Sequence, residues 1–168
     1  MMRRFLSVDP GYAACGWVLW NHGLYRKGKW SIEQAGVMHS DTKAKNTNYF
    51  RTNVMIDGLQ DRLGYTQLEC LVCEEMQIMG GAGGYASSRT TILPLCASVG
   101  QWARWIHSKG GQFVPAPVSE WKGQLPKDVV NNRVKKLLSR KDLEALSPDR
   151  SHDWDAAGIG LWHQGRFE

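Results

Sequence analysis

The sequence has no apolar run approaching the roughly 20 residues that a helix needs to cross a bilayer. Its first residues, MMRRFLSVDPG, contain too short an apolar stretch for a secretory signal. We therefore expect a cytoplasmic protein without a membrane partner. Disordered and fibrous classes are also excluded, because 42% of the residues are hydrophobic and 22% are charged, close to the globular average.

Cysteine is scarce, with four residues in the chain. The spacing in CLVC resembles a redox or zinc pair. However, Cys70 and Cys73 would point to opposite faces of a strand, and no second pair of Cys or His at ligand spacing completes a zinc site. We expect both to be small core residues in a reducing compartment.

The 168 residues are enough for a sizeable core around one sheet, so we expect a single domain, 1–168. The net charge is +5, and residues 127–141 alone contain six basic side chains against one acid. Such a run is either a solvated helix face or a contact surface for phosphates. The basic side chains are Lys127, Arg133, Lys135, Lys136, Arg140 and Lys141.

The first 40 residues carry strand signals. RFLSVD, GWVLW and GKWSIEQAGVMH are separated by glycine-containing turns, which predicts three successive antiparallel strands. Residues 47–63 follow as an amphipathic helix. The apolar positions of this helix are Phe50, Val54, Ile56, Leu59 and Leu63.

The second half alternates strands and helices. LECLVCEEM predicts a buried strand, RTTILPLCASVGQWARWIHSKGG a helix despite Pro94, and QFVPA a brief strand. The remaining segments are helical. This order predicts a mixed α/β sheet with helices on both faces.

Two acids, Asp9 and Glu74, end apolar strands. A buried carboxylate is costly unless it is solvated, paired or bound to a metal. Each also has a simpler interpretation, because Asp-Pro-Gly is a good turn sequence and Glu74 with Glu75 can mark a strand that runs into solvent.

A third acidic segment is HDWDAAGIGLW. His152 and Asp155 lie three residues apart on one helical face, whereas Asp153 points away. The small residues that follow allow the helix to lie close to a sheet and bring its first turn near the strand ends. The simpler interpretation is a first helical turn with acids favoured by the helix dipole.

If Asp9, Glu74, His152 and Asp155 converge, they form an oxygen-rich cluster with one imidazole and no thiolate. Such a cluster suits Mg²⁺ or Mn²⁺ better than zinc. Two such ions about 4 Å apart hold a phosphodiester, one activating a water and the other stabilising the leaving oxygen. Basic side chains would then hold the nucleic-acid backbone.

Four motifs together resemble a known family. VDPGYAACGW, LVCEEMQ, VSEWKGQLPKDVVNNRVKKLL and HDWDAAGIGLW are similar, in order and spacing, to those of RuvC-type Holliday junction resolvases of the RNase H-like superfamily. The similarity spans nearly the whole chain. It implies that Asp9, Glu74 and Asp155 are the catalytic, metal-binding carboxylates. His152 stands where many members have Asp and some have His.

The resemblance also concerns DNA contacts. Lys122 and Lys127 resemble the basic residues that the family places beside the scissile phosphate. The basic run adds Arg133, Lys135 and Lys136 as candidates for binding the nucleic-acid backbone. Among eight tryptophans, only Trp121 is a candidate for facing DNA.

The resemblance implies an RNase H-like sheet of five strands, three antiparallel and then two parallel. It also implies a homodimer that uses two Mg²⁺ ions per site, with Mn²⁺ as a substitute, to make paired nicks across a four-way DNA junction. The products would carry 5′-phosphate and 3′-hydroxyl ends. His152 is able to bind the second ion or to shuttle a proton.

One position departs from the family pattern. Members often carry an aromatic wedge three residues after the catalytic Glu, where this chain has Gln77. Met79 or Tyr85 is the candidate for insertion between base pairs instead.

Three alternative functions stay open at this point. The same nuclease fold can act on flaps, other branched DNA or RNA/DNA hybrids. The chain can be a non-catalytic nucleic-acid binder on that fold. DPGYAACG also resembles the phosphate-binding hairpin of actin-like proteins, although 168 residues leave no room for their second domain.

Overall fold

The computed structural model describes residues 3–11, 13–25, 28–40, 48–75, 85–149 and 152–167, with backbone alone for 48–49 and 85–93. The strands are β1 (Arg4–Asp9), β2 (Ala14–His22), β3 (Trp30–His39), β4 (Cys70–Glu75) and β5 (Gln112–Pro117). The helices are α1 (Asn48–Leu63), α2 (Tyr85–Ser108), α3 (Val118–Trp121), α4 (Lys127–Leu137), α5 (Arg140–Leu143) and α6 (His152–His163).

The five strands form one mixed sheet in the order β3-β2-β1-β4-β5. Strands β1, β2 and β3 pair antiparallel, whereas β4 and β5 continue the sheet in parallel from β1. The predicted fold class is therefore confirmed. Strand β1 lies at the centre of the sheet. Asp9, which ends this strand, therefore has a neighbouring strand on each side.

Helices cover both faces of the sheet. Because successive side chains of a strand point to opposite faces, each strand contributes to two separate cores. Leu6 and Val8 of β1 pack on the side of α1 and α2, whereas Phe5 packs on the side of α4 and α6. Cys70 and Cys73 likewise belong to opposite cores, as predicted, and both thiols are free.

Helix α1 forms where predicted, and Ile56, Leu59 and Leu63 of its predicted apolar positions are buried. Phe50 and Val54 are 52% and 39% exposed, so their assignment to the apolar face was wrong. The core side is formed by Met55 and Leu59, with the hydroxyl of Thr52 bonded to Ser98 at 3.1 Å. At about 100° per residue, Phe50 and Val54 lie on the far side of the helix from these positions.

Helix α6 lies unusually close to the sheet, as its small residues predicted. The Ser7 hydroxyl on β1 donates to the backbone oxygen of Ala156 at 2.7 Å, and a methyl group on Gly160 would come within 2.2 Å of the Trp20 ring. A methyl on Gly16 of β2 would lie 2.0 Å from the backbone oxygen of His152. The first turn of α6 is therefore fixed against β2.

No helix in the described ranges is both long enough and apolar enough to span a bilayer.

Candidate active site

The four acidic-site residues predicted from the sequence lie at one end of the sheet. Asp9 ends β1, and the parallel register of Val8 with Cys73 places it beside Glu74 on β4. Asp9 also pairs with Gly16 of β2, the glycine on which the first turn of α6 rests. That turn carries His152 and Asp155. Strand register and one close helix contact therefore bring three elements together.

Asp9 and His152 are directly bonded. The His152 Nδ1 lies 2.7 Å from Oδ2 of Asp9, and this hydrogen bond raises the pKa of the imidazole above its ordinary value. The Asp9 side chain is 14% exposed and that of His152 is 42% exposed. The pair is therefore reachable from solvent, and the raised pKa favours the protonated imidazole.

Glu74 is the most buried of the three carboxylates, at 7% exposed. Its Oε2 accepts two hydrogen bonds, from Trp121 Nε1 at 3.1 Å and from Lys122 Nζ at 2.9 Å. Burial raises the pKa of Glu74, the charge of Asp9 raises it further, and Lys122 partly opposes both effects. The ionised carboxylate is thus held in place at a cost in free energy.

Asp155, like Glu74, is a largely buried carboxylate that pairs with a lysine. Its Oδ2 lies 3.5 Å from Lys127 Nζ at the start of α4. Burial and the charge of Asp9 raise the pKa of Asp155, and Lys127 and Lys122 act in the opposite direction. Asp9 therefore acts electrostatically on both of the other carboxylates, which makes it the centre of the cluster.

The donor set fits a hard divalent cation by its chemistry. Three carboxylates whose negative charges disfavour one another, together with one imidazole, are ligands that Mg²⁺ and Mn²⁺ accept. In the structure, each carboxylate contacts a side chain able to carry positive charge. Within the described ranges, no group of three His, Cys, Asp or Glu side chains is arranged so that it could hold a metal ion.

The predicted DNA-binding residues divide into two sets. Lys122 and Lys127 contact the carboxylate cluster directly. Farther along α4, Lys135 and Lys136 are exposed, and the Arg133 guanidinium lies 6.0 Å from the centre of the Phe167 ring. The Tyr85 side chain, Gln77 and Met79 lie outside the described residues.

Trp121 is the residue whose role the sequence did not indicate. It is 2% exposed and donates to Glu74, so its candidacy for facing DNA was wrong. Its ring packs beside Phe167 and against Gly158 of α6, where an added methyl would come within 2.9 Å. The glycine on α6 thus makes room for the indole that holds Glu74.

Asp153 is buried and belongs to the scaffold. Its two carboxylate oxygens each lie 2.6 Å from Ser147, one accepting from the backbone N–H and the other from the hydroxyl. These bonds fix the segment that precedes α6. The expectation that Asp153 points away from the His152 and Asp155 pair is therefore confirmed.

The raised pKa of Glu74 leads to a prediction about stability. Because the fold disfavours the ionised carboxylate, the metal-free protein should lose stability as the pH rises from the ordinary Glu value of about 4.3 through the raised pKa. Glu74→Gln keeps an acceptor for Trp121 and cannot ionise. We expect its unfolding temperature to exceed that of the wild type at pH 7.5, with the difference disappearing towards pH 4.

Thermal unfolding in EDTA between pH 4 and pH 8 measures this effect. Glu75→Gln is the matched control, because Glu75 is the next residue on β4 and is exposed. A stability gain that is the same at both ends of the pH range would contradict the assigned cause.

No protein-family model matches the sequence, and no curated protein matches it either. Solved structures do match. The RuvC of Thermus thermophilus in complex with a Holliday junction substrate superposes with a TM-score of 0.70 at 20% identity, covering 96% of this chain and 92% of that one. The chain has the RuvC fold.

Two further solved structures also match the fold of this chain. Another Thermus thermophilus RuvC structure gives a TM-score of 0.66 at 18% identity, with 96% of this chain and 93% of that chain covered. The yeast mitochondrial Holliday junction resolvase Ydc2 gives 0.60 at 14% identity, with 98% and 78% covered. In this chain, the RuvC fold places Asp9, Glu74 and Asp155 at one end of its sheet.

Proposed function

We propose that this protein is a metal-dependent endonuclease that resolves four-way DNA junctions by paired symmetric nicks. The observation that carries the proposal is the cluster of three carboxylates and an imidazole, with Lys122 and Lys127 beside it, in a chain with the RuvC fold. The matched Thermus thermophilus protein is bound to a Holliday junction, and the yeast protein is a Holliday junction resolvase.

Asp9, Glu74 and Asp155 would hold two Mg²⁺ ions, or Mn²⁺ in their place, once they leave their present side-chain partners and move closer together. His152 would be a further ligand or a proton carrier. When bound, such ions activate a water for attack on the phosphodiester and stabilise the leaving oxygen. Trp121 keeps one oxygen of Glu74 occupied, which leaves its other oxygen for a ligand.

In this proposal, Lys122 and Lys127 each bind either a carboxylate of the cluster or the phosphate of the DNA. In the structure they neutralise Glu74 and Asp155. The Lys127 side chain is 57% exposed and that of Lys122 is 26% exposed, so both ammonium groups can turn from a carboxylate to a phosphate without unfolding anything. They would then orient the scissile phosphate and offset its charge.

Paired symmetric nicks need two identical sites related by a two-fold axis. A homodimer supplies them, because its two-fold axis relates the active site of one subunit to the identical site of the other. We therefore propose a homodimer acting on branched DNA.

A cleavage assay with Mg²⁺ tests the proposed function. A four-way junction, a flap and an RNA/DNA hybrid of matched sequence are incubated with the protein, and the junction products are mapped on both strands. We expect symmetric nicks in the junction that leave 5′-phosphate ends, and much slower cleavage of the other two. Equal cleavage of all three would rule out the resolvase assignment, and binding without cleavage would favour a non-catalytic role.

The Trp121 contact with Glu74 gives a further prediction. Trp121→Phe removes the N–H that donates to Glu74 and keeps most of the buried ring. Partners that orient metal ligands are typically worth about 10–100-fold in affinity or activity. We expect the Mg²⁺ concentration for half-maximal cleavage to rise by about tenfold or more.

The measurement is the cleavage rate as a function of Mg²⁺ concentration, together with the urea midpoint of unfolding. Trp105→Phe is the control, because Trp105 lies on α2 against the other face of the sheet. If Trp121→Phe lowers only the urea midpoint and leaves the Mg²⁺ dependence unchanged, Trp121 does not position Glu74.

A further inference from the structure

A cavity of about 640 Å³ lies away from the carboxylate cluster. Its walls come from the turn between β2 and β3, from the chain around α5, and from the segment after α6. Strand β2 begins beside Asp9 and ends at His22, which pairs with Trp30 in the cavity wall. The cavity is therefore at the opposite end of the sheet from the candidate active site.

We call the lining side chains Lys29, Arg140, Lys141 and Arg166 the basic groove. Among the described residues of the same lining, the one acid is Asp142, which is 5% exposed. Its carboxylate accepts from the backbone N–H of Ile32 at 2.8 Å and from the Ser139 hydroxyl at 2.6 Å. The described lining residues carry a formal charge of +3, four basic groups less one acid, and that acid is already hydrogen-bonded inside the protein.

Two of the cations are held in position by neighbours that do not neutralise them. The Lys141 ammonium lies 3.5 Å from the centre of the Tyr25 ring, and Arg166 donates to Oε1 of Gln164 at 3.0 Å and to the backbone oxygen of Leu137. Arg140 pairs with Glu144 at 3.2 Å, but their side chains are 94% and 64% exposed. Solvent screens such a pair strongly, so it offsets little of the charge.

Both aromatic side chains of the cavity lining, Tyr25 and Trp30, already contact other groups of the protein. Lys141 lies over one face of the Tyr25 ring, and Trp30 is in edge contact with Phe5 and His22. What the cavity offers to a ligand is therefore positive charge rather than a flat apolar surface. This favours the phosphate groups of a nucleic-acid backbone over a mononucleotide that needs its base recognised.

Helix α4 connects the two ends of the sheet. It begins at Lys127, next to Asp155, and it ends at Leu137 in the wall of the cavity. Its 11 residues span about 16 Å at ~1.5 Å each. Exposed Lys135 and Lys136 lie on this helix between the two sites. At ~3.4 Å per nucleotide along one strand, the distance corresponds to about five nucleotides.

We propose that the basic groove binds the backbone phosphates of a DNA arm, about five nucleotides from the scissile phosphate. The assignment of the occupant rests on the proposed function, because DNA cut at the carboxylate cluster must leave it along some surface. The groove would hold the orientation of the arm rather than contribute to the chemistry.

The test is a binding assay without divalent metal, so that it does not depend on cleavage. Arg140→Gln with Lys141→Gln neutralises two of the four exposed cations of the basic groove and keeps their bulk. Arg104→Gln with Lys109→Gln is the matched control, because it removes one exposed Arg and one exposed Lys from α2 and the turn after it. Fluorescence anisotropy gives the junction affinity at several salt concentrations.

Each lost phosphate contact reduces the slope of log affinity against log salt by about 0.9. We expect the groove variant to lose about 1–2 units of slope and about tenfold or more in affinity near ~0.1 M salt, with no change in the control. An unchanged slope in the groove variant would overturn the proposal, even if the groove binds free phosphate or a mononucleotide.

A chemical change in the DNA locates the contact. Neutral methylphosphonates are placed about four to six nucleotides from the mapped nick, the distance that α4 spans. They should weaken binding by the wild type and have little further effect on the groove variant. Equal losses in both proteins would overturn the proposal. Cleavage of the unmodified junction by the wild type tests the proposed function separately, so the two can fail independently.

Discussion

Asp9→Asn should lower the rate of junction cleavage by about a thousandfold or more, equivalent to ~4 kcal/mol of transition-state stabilisation. Asp9 contacts His152 directly, and its charge acts on both Glu74 and Asp155. Asparagine removes that charge and keeps an oxygen that can accept the imidazole N–H. The loss should therefore reflect ligand chemistry rather than a collapsed site.

Junction affinity in EDTA should change little in the same variant, because binding rests mainly on phosphate contacts with basic side chains. Single-turnover cleavage and metal-free anisotropy measure the two effects separately. Asp61→Asn, an exposed position on α1, provides the matched loss of one carboxylate. Cleavage by Asp9→Asn within tenfold of the wild-type rate would remove Asp9 from the proposed site.

Gly16→Ala should disrupt the site without touching any of its functional groups. The added methyl would lie 2.0 Å from the backbone oxygen of His152 and 2.6 Å from the backbone nitrogen of Asp153. Backbone atoms cannot move aside by changing a rotamer, so α6 must shift away from β2. Overpacking of this kind costs about 1–3 kcal/mol of stability or more.

The shift would separate His152 from Asp9, which are now 2.7 Å apart. Misplacing a catalytic group by ~1 Å is able to reduce the rate about 100-fold. We expect both a lower urea midpoint and a loss of cleavage of about that size. Gly36→Ala on the neighbouring strand is the control, because its methyl would meet the Trp17 ring at an ordinary 3.4 Å. Equal effects of the two substitutions would contradict the role of the close approach.

Local patterns predicted the elements of this fold well. Continuous apolar runs gave β1 and β4, and the helix through Pro94 is present as α2. The error concerned two positions of α1, Phe50 and Val54, whereas the predicted Ile56, Leu59 and Leu63 are buried. Phe50 and Val54 form an apolar pair, but the side of α1 that packs on the sheet carries Thr52, Met55 and Leu59. One helix with apolar residues on two sides does not indicate by itself which of them meets the core.

The residues of the candidate site that belong to local sequence motifs could be predicted from the sequence. Asp9 follows a strand and turn, Glu74 closes a buried strand, and His152 and Asp155 share a helical face. No local sequence motif indicates the role of Trp121. It reaches Glu74 across 47 positions of sequence, and its space depends on Gly158 of another helix.

The sequence by itself determined the elements, the chemical character of the acidic residues and the basic run that α4 carries. Only the tertiary structure decided which cation meets which carboxylate and how Trp121 is used. It also decided that Lys29 and Arg166 join Arg140 and Lys141 in one groove. The reason is physical. Strand and helix patterns arise from neighbours a few residues apart, whereas the site and the groove are made by contacts between distant segments, whose pairing depends on sheet register and on the close packing of α6.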